Sequence, residues 1–154
     1  MDLTEILRPD AVKAVSAVGS KKRLFQELGE IAFSSYGLTP AMVCAALQER
    51  ETLGPTGVGS GIALPHARLD TVERVQGIFV RLEKPIEFES VDRQPVDLVF
   101  ALLAPQDAGV DHLKALALVS RTMRNPDLCS KLRANSDTST LHTLLTEAPR
   151  SQAA

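Results

Sequence analysis

The run Val96-Asp97-Leu98-Val99-Phe100-Ala101-Leu102-Leu103 is nearly continuous in apolar residues and stops at Pro105. A strand with one wet face alternates polar and apolar side chains; this one does not, so both of its faces must be covered. The sequence supplies covers. Leu24, Phe25, Leu28, Ile31 and Ala32 recur at helical spacing between an N-cap at Ser20 and a stop at Gly37. Leu113, Leu116, Ala117, Ser120 and Met123 form a second such face, with Asp111 as its expected cap and His112 in its first turn. Helices on both sides of a sheet, an α/β fold, are therefore expected.

Other elements fall around that frame. Leu3 to Pro9 reads as an opening turn, and Val12 to Val18 as an irregular edge strand. Thr39-Pro40 starts a helix whose stripe is Val43, Ala46 and Leu47, with Arg50 near its end. Leu69 to Arg74 reads as a polar connection, Val75 to Leu82 as a strand, Lys84-Pro85 as a turn and Ile86-Glu87-Phe88 as a short edge. Asn125-Pro126 opens a short helix through Leu132, Thr140 to Leu145 forms the last, and residues 147–154 read as a flexible tail on a domain spanning 1–146.

A length of 154 residues suits one domain. The formal net charge of -2 without a basic block, and the absence of Trp, argue against nucleic acid as a partner. No apolar run approaches a membrane span and the N-terminus lacks a signal-peptide pattern, which points to the cytoplasm. Cys44 and Cys129 have no CxxC spacing and read as reduced core residues; His142 reads as a surface or interfacial side chain.

The chemistry concentrates in Gly54-Pro55-Thr56-Gly57-Val58-Gly59-Ser60-Gly61-Ile62-Ala63-Leu64-Pro65-His66. Glycines this dense lose much backbone order unless the chain needs positive φ or close approach, and amides freed of side chains suit an anion. Ile62-Ala63-Leu64 fits a short buried strand, after which Pro65 fixes φ just before the imidazole. His66, held at a strand end, is a candidate phosphoryl acceptor: an unprotonated imidazole nitrogen is a nucleophile at neutral pH, and a backbone acceptor on the other nitrogen would fix its tautomer. Loop amides at Thr56, Gly57, Gly59 and Gly61 and the Arg50 guanidinium are candidate donors to the phosphate oxygens. His112 has two readings, a surface residue at a helix start or a neutral imidazole donating to a group on His66. No Gly-Lys-Ser/Thr follows the loop, the dinucleotide pattern lacks its third glycine, and the three histidines lack zinc spacing, so neither a bound nucleotide nor a metal is expected.

Gly59-x-Gly61-Ile62-Ala63-Leu64-Pro65-His66, with Thr56-Gly57 and Arg50 before it, resembles the phosphorylation motif of phosphotransferase-system enzyme IIA components of the mannitol/fructose/nitrogen class. Gln94 to Leu103 followed by Asp111-His112-Leu113-Lys114-Ala115-Leu116 resembles that family's central strand and second-histidine helix. The resemblance implies a mixed sheet flanked by helices and no cofactor. It also implies a phosphoryl group received on His66 from an HPr-type carrier, with Arg50 and His112 around it. The chain looks most like stand-alone nitrogen-branch members, which act on regulatory targets such as sensor kinases or potassium transport according to their phosphorylation state. The alternatives are a transport IIA passing phosphate to a sugar-specific IIB, and a binding module that is never phosphorylated. Arg68 stands where Lys is more usual in the family and is assigned to partner docking.

Overall fold

The computed structural model describes residues 1–153, with side chains through residue 147. The expected tail over 147–154 therefore lies, but for Glu147, outside the residues whose side chains are described.

The apolar run becomes the centre of the molecule. Strand β6 (Val96–Pro105) is buried from Leu98 to Ala104 without a break, so both of its faces are indeed covered. On one side it pairs antiparallel with β5 (Gln76–Ile86), which pairs parallel with the edge strand β1 (Leu7–Val15). On its other side β6 carries two short parallel partners in succession, β3 (Ile62–Ala63) and β4 (His66–Leu69). Strand β2 (Gly57–Gly59) closes that side as an antiparallel partner of β3. Among the described residues the sheet is mixed and six-stranded.

Helix α1 (Leu3–Ile6) replaces the expected opening turn, because Asp2 and Glu5 form a reciprocal capping box around it. Ser20 caps α2 (Lys21–Tyr36), and Gly37 ends it in the left-handed conformation at φ 71°. A cap of this kind contributes about 1 kcal/mol. Helix α3 (Pro40–Thr52) leads to the glycine segment and packs on β4, and α4 (Gly109–Met123) packs back on β6. Helices α5 (Pro126–Arg133) and α6 (Thr138–Ala153) complete the cover, α6 lying on β1.

Several local expectations change. Lys84-Pro85 is not a turn: β5 runs through it with a register shift between Arg81 and Ile86, the irregularity that lets a proline sit in a strand. Asp111 is not the cap of α4, which starts two residues earlier after Ala108 with no side-chain cap. The last helix starts at Thr138 rather than Thr140, with Asp137 accepting from the Thr140 amide at 3.0 Å. His142 is half-buried, its Nε2 lying 3.0 Å from the Leu7 carbonyl, so it ties α6 to β1. Cys129 is buried and Cys44 half-buried, both free thiols. Among the described residues no helix is long and apolar enough to cross a membrane.

Candidate active site

His66 opens β4. Pro65 just before it offers no N–H, while its carbonyl accepts from Leu102 of β6 at 2.9 Å, so the chain is registered on the central strand at the imidazole itself. The Leu64 carbonyl lies 2.9 Å from His66 Nδ1. A carbonyl can only accept, so Nδ1 carries the proton and Nε2 carries the lone pair. The His66 pKa is lowered, first by burial and then by the Arg50 charge, against opposing contributions from the Leu64 hydrogen bond and Glu51. The neutral, nucleophilic form is thereby favoured at neutral pH.

His112 comes from the first turn of α4, which follows directly on β6, and its ring meets that of His66 edge-on with centroids 5.7 Å apart. It is 7% exposed, which excludes the reading of His112 as a surface residue. Its pKa is also lowered, by burial first and then by His66 and Arg68. Arg68 donates from Nε to His112 Nδ1 at 3.2 Å and from Nη1 to the Gln106 carbonyl at 3.4 Å. The reach of Arg68 follows from strand geometry: residues two apart on β4 share a face, so Arg68 stands beside His66. Though exposed, Arg68 turns toward the second histidine.

Arg50, near the end of α3, donates to the Gly54 carbonyl at 3.1 Å. That bond uses one of five guanidinium donors and leaves a fixed cation close enough to act on the His66 pKa.

In the glycine segment, whose amides were expected to face an anion, the Thr56 groups already have a partner within the chain. Thr56 is buried and gives both its amide, at 2.9 Å, and its hydroxyl, at 2.6 Å, to the Glu51 carboxylate. Lys21 completes this clamp with an ion pair to Glu51 at 2.7 Å. Gly57 is needed for space, since a Cβ there would collide with the side chain of Ser90. Gly59 and Gly61 have φ of 101° and 80° and flank Ser60 in the turn between β2 and β3. The Gly61 carbonyl accepts from the Asp97 and Leu98 amides, both at 3.0 Å, and a Cβ on Gly61 would lie 2.6 Å from Arg133 Nη2. That guanidinium also bonds the Ser60 carbonyl at 2.7 Å and pairs with Asp97. The segment thus folds as a hairpin packed against its neighbours.

Sequence reasoning missed Glu51, although an acidic residue in the last turn of a helix is unfavourable to the helix dipole and so asks for a partner elsewhere. It also missed the role of Arg68, for which the two-residue spacing from His66 was the available signal. Among the described residues no group of three or more His, Cys, Asp or Glu could hold a metal ion.

This paired-histidine geometry sits in a chain whose residues 5–148 match the family model for the phosphoenolpyruvate-dependent sugar phosphotransferase system, EIIA 2. The chain belongs to the phosphotransferase-system enzyme IIA family. A nitrogen regulatory protein of Bradyrhizobium diazoefficiens is 45% identical to this IIA chain over 153 residues, covering 99% of it and 100% of the relative. The crystal structure of the nitrogen regulatory protein IIA-Ntr from Neisseria meningitidis superposes with a TM-score of 0.87 at 35% identity, covering 94% of this chain and 99% of that one. The mannitol enzyme IIA of Escherichia coli, solved in complex with phosphorylated enzyme IIB, matches with a TM-score of 0.75 at 18% identity over 91% of this chain and 98% of that one. At that identity the likeness bears on the fold alone.

Proposed function

We propose that this enzyme IIA accepts a phosphoryl group on Nε2 of His66 from the phosphohistidine of an HPr-type carrier, in the cytoplasm, and regulates other proteins according to its phosphorylation state. The observation that carries the reading is the 2.9 Å contact between His66 Nδ1 and the Leu64 carbonyl, which leaves Nε2 as the nucleophile. In the transfer, the Nε2 lone pair forms a new P–N bond while the P–N bond to the carrier breaks and its electron pair returns to the carrier's imidazole. His66 keeps its Nδ1 proton, and the positive charge of the phosphorylated ring is shared with the Leu64 carbonyl. Arg50 supplies charge to the equatorial phosphate oxygens and His112 donates to one of them. The regulatory role rests on the full-length likeness to nitrogen regulatory proteins. A sensor kinase or a potassium transporter is the class of target that this branch implies.

A second reading is favoured by one observation, the 38% identity over 102 residues to a fructose-specific EIIA component of Haloferax volcanii. In that reading the group on His66 passes on to a sugar-specific IIB.

Incubation with phosphorylated carrier should give one acid-labile phosphohistidine, assigned to Nε2 by phosphorus–nitrogen NMR, and none in His66→Ala. Equal labelling of that variant would overturn the acceptor assignment. Capture of cytosolic partners by phosphorylated and unphosphorylated protein then separates the two readings: a IIB domain on the phosphorylated form supports transport, and a state-dependent regulatory target supports regulation.

A further inference from the structure

We propose that Arg68 is a positioning residue that locks His112 in the tautomer with its proton on Nε2, so that the second histidine can only donate toward the group on His66. The inference rests on the phosphoacceptor reading of His66. It starts from a property of guanidinium, which has five N–H donors, no acceptor, and a charge that persists at any pH a protein meets. The ring nitrogen 3.2 Å from Arg68 Nε must therefore offer a lone pair. In a neutral imidazole the single proton then belongs to the other nitrogen. Both the opposite tautomer and the imidazolium would set an N–H of His112 head-on against the N–H of Arg68.

The other nitrogen is the second observation. His112 Nε2 is buried and has no hydrogen-bond partner. A buried N–H left unmet is costly, and native structures keep few of them. This one belongs to a ring set edge-on to His66 at a centroid distance of 5.7 Å, where a phosphoryl oxygen on His66 would satisfy it. Arg68 is suited to hold the arrangement, since β4 keeps it on the His66 face and its Nη1 is anchored to the Gln106 carbonyl in the connection leading to α4. One arginine thereby links the strand of the nucleophile to the helix of the donor.

The test reads the ring directly. In long-range proton–nitrogen spectra of the unphosphorylated protein with nitrogen-15 histidine, wild-type His112 should show a protonated Nε2 and a bare Nδ1 at neutral pH. Arg68→Met, at an exposed position, should give averaged tautomers at His112 while His66 keeps its pattern, and phosphoryl uptake should slow about tenfold, the loss of one hydrogen bond's worth of order. Arg68→Lys, which restores a donor without the planar fork, should recover part of the rate and of the Nε2–H signature. In a His112→Gln background, Arg68→Met should add no further loss, because its effect runs through the missing ring. A wild-type His112 protonated on Nδ1 overturns the proposal. So does an unchanged His112 tautomer in Arg68→Met, or an equal loss of rate in the His112→Gln background. Failure of His66 to take phosphate would overturn the acceptor reading instead, since the tautomer is read before any phosphate is added.

Discussion

Two neighbouring segments hang on the same side of β6 and use their polar groups in opposite ways. The glycine hairpin of β2 and β3, with Thr56 before it, spends its groups on partners within the chain: Thr56 on Glu51, Ser60 on Asp92 and Arg133, Gly61 on Asp97 and Leu98. The β4 segment, with the start of α4 that faces it, leaves its groups half-used: His66 engages one ring nitrogen, and His112 engages one and holds the other buried without a partner. The difference teaches where to look for chemistry in such a fold. Glycine density here serves close approach at Gly57 and positive φ at Gly59 and Gly61, whereas the incomplete hydrogen-bonding sets lie beside β4.

Substitutions can break that contrast. The largest effect is expected at His66: replacement by Gln removes the nucleophile, and phosphoryl uptake measured with labelled carrier should fall to background while the thermal midpoint barely moves. Arg50→Ala comes next, slowing uptake about a hundredfold through loss of a charged phosphate contact, with the circular dichroism spectrum intact. Unchanged kinetics would remove Arg50 from the site.

The hairpin side should behave the other way round. Glu51→Gln weakens the ion pair to Lys21 and both bonds from Thr56, and should lower the unfolding free energy in urea by about 1–3 kcal/mol. The transfer rate per folded molecule should change much less than in Arg50→Ala. A large rate loss with normal stability would place the hairpin in the chemistry and erase the distinction.

The smallest effect is on pH dependence. His66 and His112 both have pKa values below the ordinary imidazole range, because burial disfavours their charged forms. Between their folded values and about 6.5 the unfolded chain binds more protons than the folded one, so this contribution to stability is complete above that range and is lost as pH falls through it. The unfolding midpoint in urea should drop modestly from pH 7 to pH 5, and His66→Gln/His112→Gln should flatten that slope. A steeper slope in the double variant would reverse the assigned direction of the shifts.

Much of this was legible in the sequence, for identifiable reasons. The unbroken run at Leu98 to Leu103 could only be a strand covered on both faces, and Ser20 and Gly37 mark the ends of α2 by local chemistry. The pairing of His66 with His112 was expected through family resemblance, since their separation in sequence says nothing about their separation in space. Pro85 misled because a proline normally breaks a ladder, and only the tertiary pairing of Ile86 with Val96 carries β5 past it. The bonds from Thr56 to Glu51 were not legible because they cross a turn whose path local propensity does not define. Arg68 was assigned to partner docking through its departure from the family's usual residue, and its bond to a single nitrogen on another element is tertiary information that local pattern does not carry.

The handoff from β3 to β4 along β6 has a consequence for how such chains can vary. Only Leu64 and Pro65 separate the two strands, and the register pairs His66 with Leu102 and Arg68 with Ala104. Strand side chains alternate, so one inserted or deleted residue between Ala63 and His66 would turn histidine and arginine to the opposite face together. A substitution in this segment is therefore easier to accommodate than a change of its length. Connections such as Asp107-Ala108 and residues 134–137, where no strand register is at stake, can absorb a change of length at less cost.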